Sequence, residues 1–150
     1  MTTDELPEPT PVRAGLPKRR TPVRKKATEE GGSTAEEQAL ELARRIVDLA
    51  ADKKASDIVL LEVGAVTTLA DYFVICSAQS ERQLGAVADG IVEGLRDEGT
   101  KPIGREGAAN AHWLLVDYGS VIVHVMAPLE RDFYQLERLW ADAPLLLRLQ

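Results

Sequence analysis

The sequence predicts a single α/β domain in which a mixed β-sheet is packed with helices. Three observations lead to this fold class. Two short apolar runs rich in β-branched residues lie between two segments with helical periodicity, a pair of alternating runs around one glycine predicts a hairpin, and an amphipathic segment beginning at a proline follows. The predicted order is α-β-β-α-β-β-α. A helix between the second and third strands allows a parallel crossover, whereas a hairpin is antiparallel, so we expect both kinds of pairing.

The first helix and the first two strands are predicted by capping signals and composition. Thr34 and Glu37 have the spacing of a capping box, and apolar residues then recur at helical intervals to about Lys54. The runs IVLLEV at 58–63 and YFVICS at 72–77 are short and apolar, which is typical of buried strands. The intervening residues make the connection between the two strands.

The second helix is predicted to run from Ser80, which forms a second capping box with Gln83, to Gly99. Its apolar stripe consists of Leu84, Val87, Ile91 and Leu95. Three glycines on this helix lower its stability by roughly 1 kcal/mol each when exposed. We interpret them as positions of close packing on the sheet: Gly85, Gly90 and Gly94.

The segment 99–111 contains glycines and a proline but no periodicity, so it is predicted to be a loop. It either clamps a partner through Arg105 and Glu106 or only connects two elements, and both interpretations stay open. Two strands, HWLLVDY and SVIVHVMA, then form a hairpin joined at Tyr118-Gly119. Pro128 begins a last helix, on which four apolar residues share a face: Leu129, Phe133, Leu136 and Trp140.

Composition divides the chain into three parts: a disordered, basic, proline-rich tail at 1–33, a folded domain at 34–144, and a C-terminal tail at 145–150. Residues 1–32 carry seven basic and five acidic side chains, whereas the remainder carries 11 basic and 19 acidic ones, a net charge of −8. Basic runs of this kind bind RNA or another polyanion in some proteins, although they are more often solvated tails.

Several classes of protein are excluded by features that the sequence lacks. No run approaches the roughly 20 apolar residues of a membrane helix, and no signal peptide is apparent, so we expect a cytoplasmic protein. The single cysteine, Cys76, excludes an internal disulfide and a cysteine-rich metal site. The two histidines lack metal-ligand spacing, and the acidic pair Glu130 and Asp132 falls on a predicted helix rather than at a strand end. We therefore expect no enzymatic activity, no metal and no cofactor.

The predicted hairpin has two faces, because successive strand residues point to opposite sides of a sheet. With the turn at Tyr118-Gly119, the expected partners are 117 with 120, 115 with 122, and 113 with 124. One face is aliphatic and typical of a core. The other combines large apolar groups with hydrogen-bonding ones, a composition typical of protein-binding surfaces. We predict partner binding on this second face, called the hairpin face below: Trp113, Leu115, Asp117, Ile122, His124 and Met126.

The polar and aromatic members of the hairpin face also have structural interpretations. Trp113 fits a core aromatic, His124 a buried structural histidine, and Asp117 a turn former whose carboxylate accepts backbone N–H groups. A catalytic pairing of His124 with Asp117 is disfavoured, because two pairing rungs, about 10 Å, separate them in the expected register.

Four motifs, in order along the chain, carry a resemblance to a known family: DYFVICSAQSERQ, GREG, HWLLVDYGSVIVHVM and FYQLERLWADAP. Over residues 36–144 the sequence resembles the ribosomal silencing factor family, RsfS, also called Iojap-like. The resemblance implies an α/β fold related to nucleotidyltransferases but without their catalytic carboxylates. It also implies binding of the large ribosomal subunit through ribosomal protein L-fourteen, with steric exclusion of the small subunit.

Carried over residue by residue, the resemblance places the family's hairpin aromatic at Trp113, its acidic residue before the turn at Asp117, and its VHVM segment at His124 and Met126. The net charge of −8 on the folded part favours docking on a basic ribosomal protein over direct binding to nucleic acid. A homodimer through the same face is also compatible with the pattern. Two other functions stay open, an adaptor for large-subunit assembly or maturation and a relic nucleotide-binding protein.

Overall fold

The computed structural model describes residues 34–150, so the tail expected at 1–33 lies outside the described residues. The helices are α1 (Ala35–Asp52), α2 (Glu81–Asp97), α3 (Pro128–Tyr134) and α4 (Leu136–Leu139), and a 3₁₀ turn covers Ala109–Ala111. The strands are β1 (Ser56–Glu62), β2 (Tyr72–Ser77), β3 (Gly104–Ala108), β4 (Trp113–Asp117), β5 (Val121–Met126) and β6 (Leu145–Leu149).

The six strands form one sheet in the order β3-β4-β5-β2-β1-β6. β2 and β5 run parallel, from Tyr72 opposite Val121 to Ser77 opposite Met126, and the other neighbouring pairs are antiparallel. The predicted α/β class with a mixed sheet is therefore confirmed. The crossover from β2 leads through α2 to the hairpin, and the second hairpin strand, rather than the first, lies beside β2.

The first face of the sheet is covered by α1 and α2. Thr34 Oγ1 accepts a hydrogen bond from Glu37 N and Glu37 Oε1 accepts one from Thr34 N, both at 3.1 Å, which confirms the first capping box. Both helices pack their apolar stripes against alternate strand residues, among them Val74, Val116 and Val123. This face carries the larger of the two hydrophobic clusters of the described domain.

Two glycines of α2 allow α1 to approach closely. A Cβ at Gly94 would lie 2.6 Å from Leu49 Cδ2, and a Cβ at Gly90 would lie 2.6 Å from Lys53 Cε. The expectation that the helix glycines pack on the sheet is therefore wrong, because these close neighbours belong to α1 and its C-cap. At Gly85 a Cβ would meet nothing within 4 Å.

The second capping box is half formed. Ser80 Oγ accepts a hydrogen bond from Gln83 N at 3.1 Å, as predicted, but Gln83 Oε1 accepts one from Gln79 N at 2.8 Å rather than from Ser80 N. The amide nitrogen of Gln83 donates to Lys54 O at 2.9 Å. This side chain therefore ties the start of α2 to the end of α1. Beyond α2, Gly99 adopts φ +92°, which agrees with the predicted helix end.

An edge strand, β3, occupies part of the segment predicted to be a loop. It pairs with β4 from Gly104 opposite Asp117 to Ala108 opposite Trp113. A strand at a sheet edge buries few side chains, so its sequence need not alternate between apolar and polar residues. The sequence GREGA has no such alternation, and no hydrophobic pattern therefore predicts β3. Arg105 forms an ion pair with Asp89 on α2 at 2.9 Å, which ties the edge strand to the helix layer.

The C-terminal residues form the opposite edge strand instead of the tail predicted at 145–150. β6 pairs with β1 from Leu61 opposite Leu145 to Ile58 opposite Leu149. Arg148 donates to both carboxylate oxygens of Asp57, at 3.0 and 3.4 Å. The run LLLRL has no alternation, so its pattern does not distinguish a strand from a tail. The folded domain therefore continues past the boundary predicted at residue 144.

The predicted last helix is two short helices. Gln135 adopts φ +46° and ψ +58°, which ends α3 and begins α4. The break separates residues that were predicted to share one face: Leu136 is buried, whereas Leu129 and Phe133 are 79% and 63% exposed. The prediction of one shared face is therefore wrong. The break could not be predicted, because left-handed conformation at a residue other than glycine is uncommon and the sequence contains no signal for it here.

We expect Gly107→Ala to destabilise the domain more than Gly99→Ala. Both glycines have positive φ, +88° and +92°, in which an alanine costs about 1–2 kcal/mol. A Cβ at Gly107 would also overlap Trp113 O, whereas nothing lies within 4 Å of a Cβ at Gly99. The free energy of unfolding, measured by urea denaturation, should fall by about 1 kcal/mol for Gly99→Ala and about 3 kcal/mol for Gly107→Ala. Equal losses would contradict the overlap.

Candidate functional site

The hairpin turns at Gly119 and Ser120, one residue later than predicted. Gly119 adopts φ +87° at the first position of this two-residue turn, and Tyr118 N donates to Val121 O at 2.9 Å. The expected pairs, 117 with 120, 115 with 122 and 113 with 124, are therefore wrong by two positions. The observed pairs are Trp113 with Met126, Leu115 with His124, and Asp117 with Ile122.

A register error of two residues leaves every side chain on its predicted face, because side-chain direction alternates with period two. Leu114, Val116 and Val123 face α1 and α2, whereas Leu115, Ile122 and Met126 belong to the hydrophobic cluster on the opposite side of the sheet. The predicted division of the hairpin into two faces is confirmed.

Asp117 is a turn former, as its structural interpretation predicted. Its Oδ1 accepts a hydrogen bond from Gly119 N at 2.7 Å. The Asp117 side chain is almost fully buried, and a buried carboxylate without a hydrogen-bond partner would destabilise the fold. The bond to Gly119 N supplies one such partner at the turn.

The hairpin face is largely covered by the rest of the chain. Of its six members only Trp113 is partly exposed, and the other five are buried. The covering residues come from the β1–β2 connection, α3, α4 and the loop after α4: Val63, Leu69, Ala70, Tyr134, Leu136, Trp140 and Ala143. Strand alternation predicts which side chains share a face but not what packs on them, so an open face was wrongly expected. Of the six residues predicted to bind a partner, only Trp113 therefore has surface that a partner could contact.

Trp113 is part of a continuous series of ring contacts that runs from the buried hairpin face to the surface. The indole lies 4.9 Å from the Tyr134 ring and 6.0 Å from the His124 ring, centroid to centroid. Outward, Tyr134 contacts Phe133 at 4.9 Å, and inward, His124 contacts Phe73 at 5.2 Å. We call this series the aromatic row: Phe73, His124, Trp113, Tyr134 and Phe133.

His124 is neutral and acts as a hydrogen-bond acceptor inside the aromatic row. Burial lowers the pKa of its imidazole to about 3. Its Nδ1 accepts a hydrogen bond from the indole N–H of Trp113 at 3.2 Å. In the observed register Asp117 pairs with Ile122, two residues along β5 from His124 and closer than predicted, but the hydrogen-bond partner of His124 Nδ1 is the indole of Trp113. This environment is unsuited to a general base, which needs a pKa near the working pH.

The surface beside Trp113 is apolar and exposed. Leu129 and Phe133 lie one turn apart on α3, and Phe133 joins Trp113 through Tyr134 in the aromatic row. Exposed groups of large apolar side chains on a single folded chain commonly mark sites of protein association. We call this group the apolar surface: Trp113, Leu129, Phe133 and Tyr134. Sequence analysis missed it because the break at Gln135 was not predicted.

Arg131 holds α3 against the sheet and was also missed by sequence analysis. The residue is 6% exposed. Its guanidinium donates to Asp57 O at 2.6 Å, to Ser77 Oγ at 2.8 Å, and to Glu137 Oε2 at 2.7 and 3.0 Å. A buried cation needs such pairing, because its removal from water is costly. The bonds connect α3 with β1, β2 and α4, and so set the position of the apolar surface.

A cleft of about 380 Å³ lies beside Arg131. Six of its lining residues are charged, three basic and three acidic: Asp57, Arg131, Asp132, Glu137, Arg138 and Arg148. Arg131 and Arg148 both donate to carboxylates of the protein itself. The charges of the cleft are therefore balanced within the domain, with the arginines already engaged.

The remaining chemical candidates in residues 34–150 are few. Within this range no group of three or more His, Cys, Asp or Glu side chains is placed to hold a metal ion. Cys76 is buried, which raises the pKa of its thiol to about 12 and keeps it protonated. None of the helices in the described part of the chain is long and apolar enough to cross a membrane.

Comparison with known proteins gives a consistent result. The family model described as ribosomal silencing factor during starvation, RsfS, matches residues 36–149. A ribosomal silencing factor from Bacillus subtilis is 44% identical over 94 residues, which cover 63% of this chain and 80% of that protein. A crystal structure from Chromobacterium violaceum superposes with a TM-score of 0.67 at 34% identity, over 69% of this chain and 86% of that one.

A more distant relative has a different name. The mouse protein named mitochondrial assembly of ribosomal large subunit protein 1 is 36% identical over 98 residues. These residues cover 63% of this chain but 43% of the mouse protein. The similarity therefore concerns one part of that longer protein.

We expect acid to destabilise the wild-type protein more than His124→Leu. The pKa of His124 is about 3 in the folded chain, below the ordinary histidine value of 6.5, so the unfolded chain binds more protons between these values. The contribution of neutral His124 to the free energy of unfolding is therefore fully present above pH 6.5 and is lost progressively as pH falls toward 3. Urea denaturation from about pH 7 to about pH 4 measures the effect. A difference between the two proteins that does not change with pH would contradict it.

Proposed function

The chain belongs to the ribosomal silencing factor family, a family of ribosome-associated regulators, and we propose that it binds the large ribosomal subunit and sterically blocks joining of the small subunit. On this proposal the protein represses translation in the cytoplasm by occupying a surface, not by catalysis. The proposed contact on the subunit is ribosomal protein L-fourteen.

The observation that carries the proposal is the apolar surface at Trp113. Leu129 and Phe133 are 79% and 63% exposed, and Phe133 belongs to the aromatic row, unlike other exposed apolar residues such as Leu139 at 62% and Ile103 at 52%. Aromatic side chains with partly buried rings are the residues that most often dominate binding energy at protein interfaces. Trp113 and Tyr134 have this form, since their rings contact each other while remaining partly exposed.

Charge supports a protein partner over RNA. The chain from residue 33 onward carries 19 acidic and 11 basic side chains. Glu130 and Asp132 lie on the same short helix as Leu129 and Phe133, so this helix adds acidic charge near the apolar surface without sharing its face. An acidic domain is repelled by the phosphates of rRNA and attracted to a basic ribosomal protein, and such complementarity increases the rate of encounter.

The six residues of the hairpin face have two different roles in this proposal. Trp113 contacts the partner, whereas the other five form the layer beneath it: Leu115, Asp117, Ile122, His124 and Met126. These five are buried, and His124, which accepts the indole N–H, is the one that contacts the Trp113 ring. A homodimer would use the same apolar surface, so self-association and subunit binding would compete.

We expect Phe133→Asp to weaken inhibition of subunit joining strongly without unfolding the domain. Phe133 is 63% exposed, so the charge is not buried in the free protein but would be desolvated in the complex. The measurement is a sucrose-gradient assay of joined and separate subunits with purified protein, and the variant should need at least about tenfold more protein for the same effect.

Ile103→Asp is the matched control for this assay. Ile103 is 52% exposed and precedes the edge strand β3, where its N–H donates to Asp117 O, at the end of β4 away from Trp113. This variant should inhibit joining as the wild type does. Equal loss with both variants, or with neither, would contradict docking through the apolar surface.

A second candidate function is that of an adaptor for assembly of the large subunit, favoured by the name of the mouse relative. Deletion of the gene would then lead to accumulation of precursor large subunits, with no change in the joining of mature subunits. Under the first proposal, deletion increases subunit joining in starved cells without such precursors. Gradient profiles of ribosomal particles from deletion cells distinguish the two. Nucleotide binding is not proposed, because two of the three arginines of the charged cleft, Arg131 and Arg148, donate to the protein's own carboxylates and the third, Arg138, donates to Gln135 Oε1.

A further inference from the structure

We propose that His124 is the positioning residue for Trp113: its Nδ1 accepts the indole N–H and fixes the orientation in which the tryptophan meets a partner. The inference rests on the proposed docking role of Trp113 and adds a residue that no partner can touch. His124 is 6% exposed and lies beneath the covering layer of α3 and α4.

Two contacts restrict the indole. Trp113 lies opposite Met126 and His124 lies opposite Leu115, so the tryptophan and the histidine are diagonal neighbours on adjacent strands. The bond from Trp113 Nε1 to His124 Nδ1 is 3.2 Å, and the two rings are tilted by 47°. A second ring, that of Tyr134, also contacts the indole, with its centroid at 4.9 Å. Because an indole has one N–H donor and no acceptor, this single bond determines which way the ring faces.

The bond also determines the tautomer of the histidine. Since Nδ1 accepts a hydrogen bond, the neutral imidazole carries its proton on Nε2. Nε2 is buried and has no hydrogen-bond partner among residues 34–150. The nearest described ring is Phe73, at 5.2 Å and nearly perpendicular to the imidazole.

If only packing were required at this position, a histidine would lower the free energy of unfolding relative to an aliphatic residue. The neighbours on the hairpin face are Leu115, Ile122 and Met126, and an aliphatic side chain would pack with them without burying an unpartnered N–H. The imidazole offers one thing that an aliphatic group does not, an acceptor for the indole N–H. Fixing the tryptophan before binding reduces the side-chain entropy that association would otherwise lose.

The first test measures the indole directly and needs no partner. The chain has two tryptophans, so a nitrogen-15 spectrum contains two indole N–H signals, and Trp140 provides the internal control for folding. In His124→Leu, exchange of the Trp113 indole N–H with solvent should become about fivefold faster, the factor that corresponds to loss of a hydrogen bond worth about 1 kcal/mol. His124→Asn, which retains an acceptor near the position of Nδ1, should largely restore protection.

His124→Phe keeps the ring volume without the acceptor and serves where the leucine variant does not fold. Protection of the Trp113 N–H that is unchanged in His124→Leu and His124→Phe, with the Trp140 signal native, would overturn the proposal. So would protection that is lost equally in His124→Asn, because a cavity rather than the missing acceptor would then be responsible.

The second test measures affinity for isolated large subunits by co-sedimentation. His124→Leu should weaken binding about three- to tenfold, the range expected for one hydrogen bond. In a Trp113→Phe background, which has no indole N–H, the same substitution should have no further effect. A purely structural role would weaken binding in both backgrounds, and that outcome would overturn the proposal.

The two tests also separate this proposal from the proposed function. If the wild-type protein does not bind large subunits, the proposed function fails while the indole measurement still decides the role of His124. If the wild type binds and the His124 variants bind equally well, the proposed function stands and the positioning role fails.

Discussion

The buried guanidinium of Arg131 is the interaction on which the outer side of the domain depends. α3 has seven residues and α4 has four, and helices of this length are not stable on their own. Arg131 connects them to the sheet through Asp57, Ser77 and Glu137. The Asp57 carboxylate also accepts a hydrogen bond from the guanidinium of Arg148 on β6. One cluster of charges thus secures both the two short helices and the C-terminal edge strand.

The two faces of the sheet are stabilised in different ways. On the first face, α1 and α2 are long amphipathic helices that bury continuous apolar stripes, so packing alone accounts for their attachment. On the second face, the covering consists of short segments held at a few points, with rings of the aromatic row filling the space between them. A cover of this kind leaves apolar groups at its rim, which is why the exposed surface lies on this side.

Sequence patterns predicted those features that depend on local periodicity. Both long helices, the capping box at Thr34, the buried strands β1 and β2, and the division of the hairpin into two faces all follow from spacing and alternation. The hairpin faces were predicted even though the register was not, because an error of two positions preserves side-chain direction. The composition of the hairpin face also led to the proposal that Trp113 binds a partner, which stays a prediction.

Features that depend on distant contacts were not predictable. β3 and β6 are strands because a neighbouring strand pairs with them, and neither GREGA nor LLLRL has the alternation of a half-buried strand. Gln135 adopts a left-handed conformation and divides what periodicity predicts as one helix. Tyr134 and Leu136, on either side of that division, both cover the hairpin face, so one unpredicted dihedral angle changed part of the candidate site.

The break at Gln135 also separates two kinds of evolutionary constraint. Residues after it, such as Leu136, are fixed by the core, whereas Leu129 and Phe133 before it contact little of their own domain. Substitutions on the outer side of α3 can therefore accumulate with small consequences for folding. If the proposed docking is correct, a lineage whose partner changes can adjust this one helical turn to match it, while the sheet beneath retains its sequence.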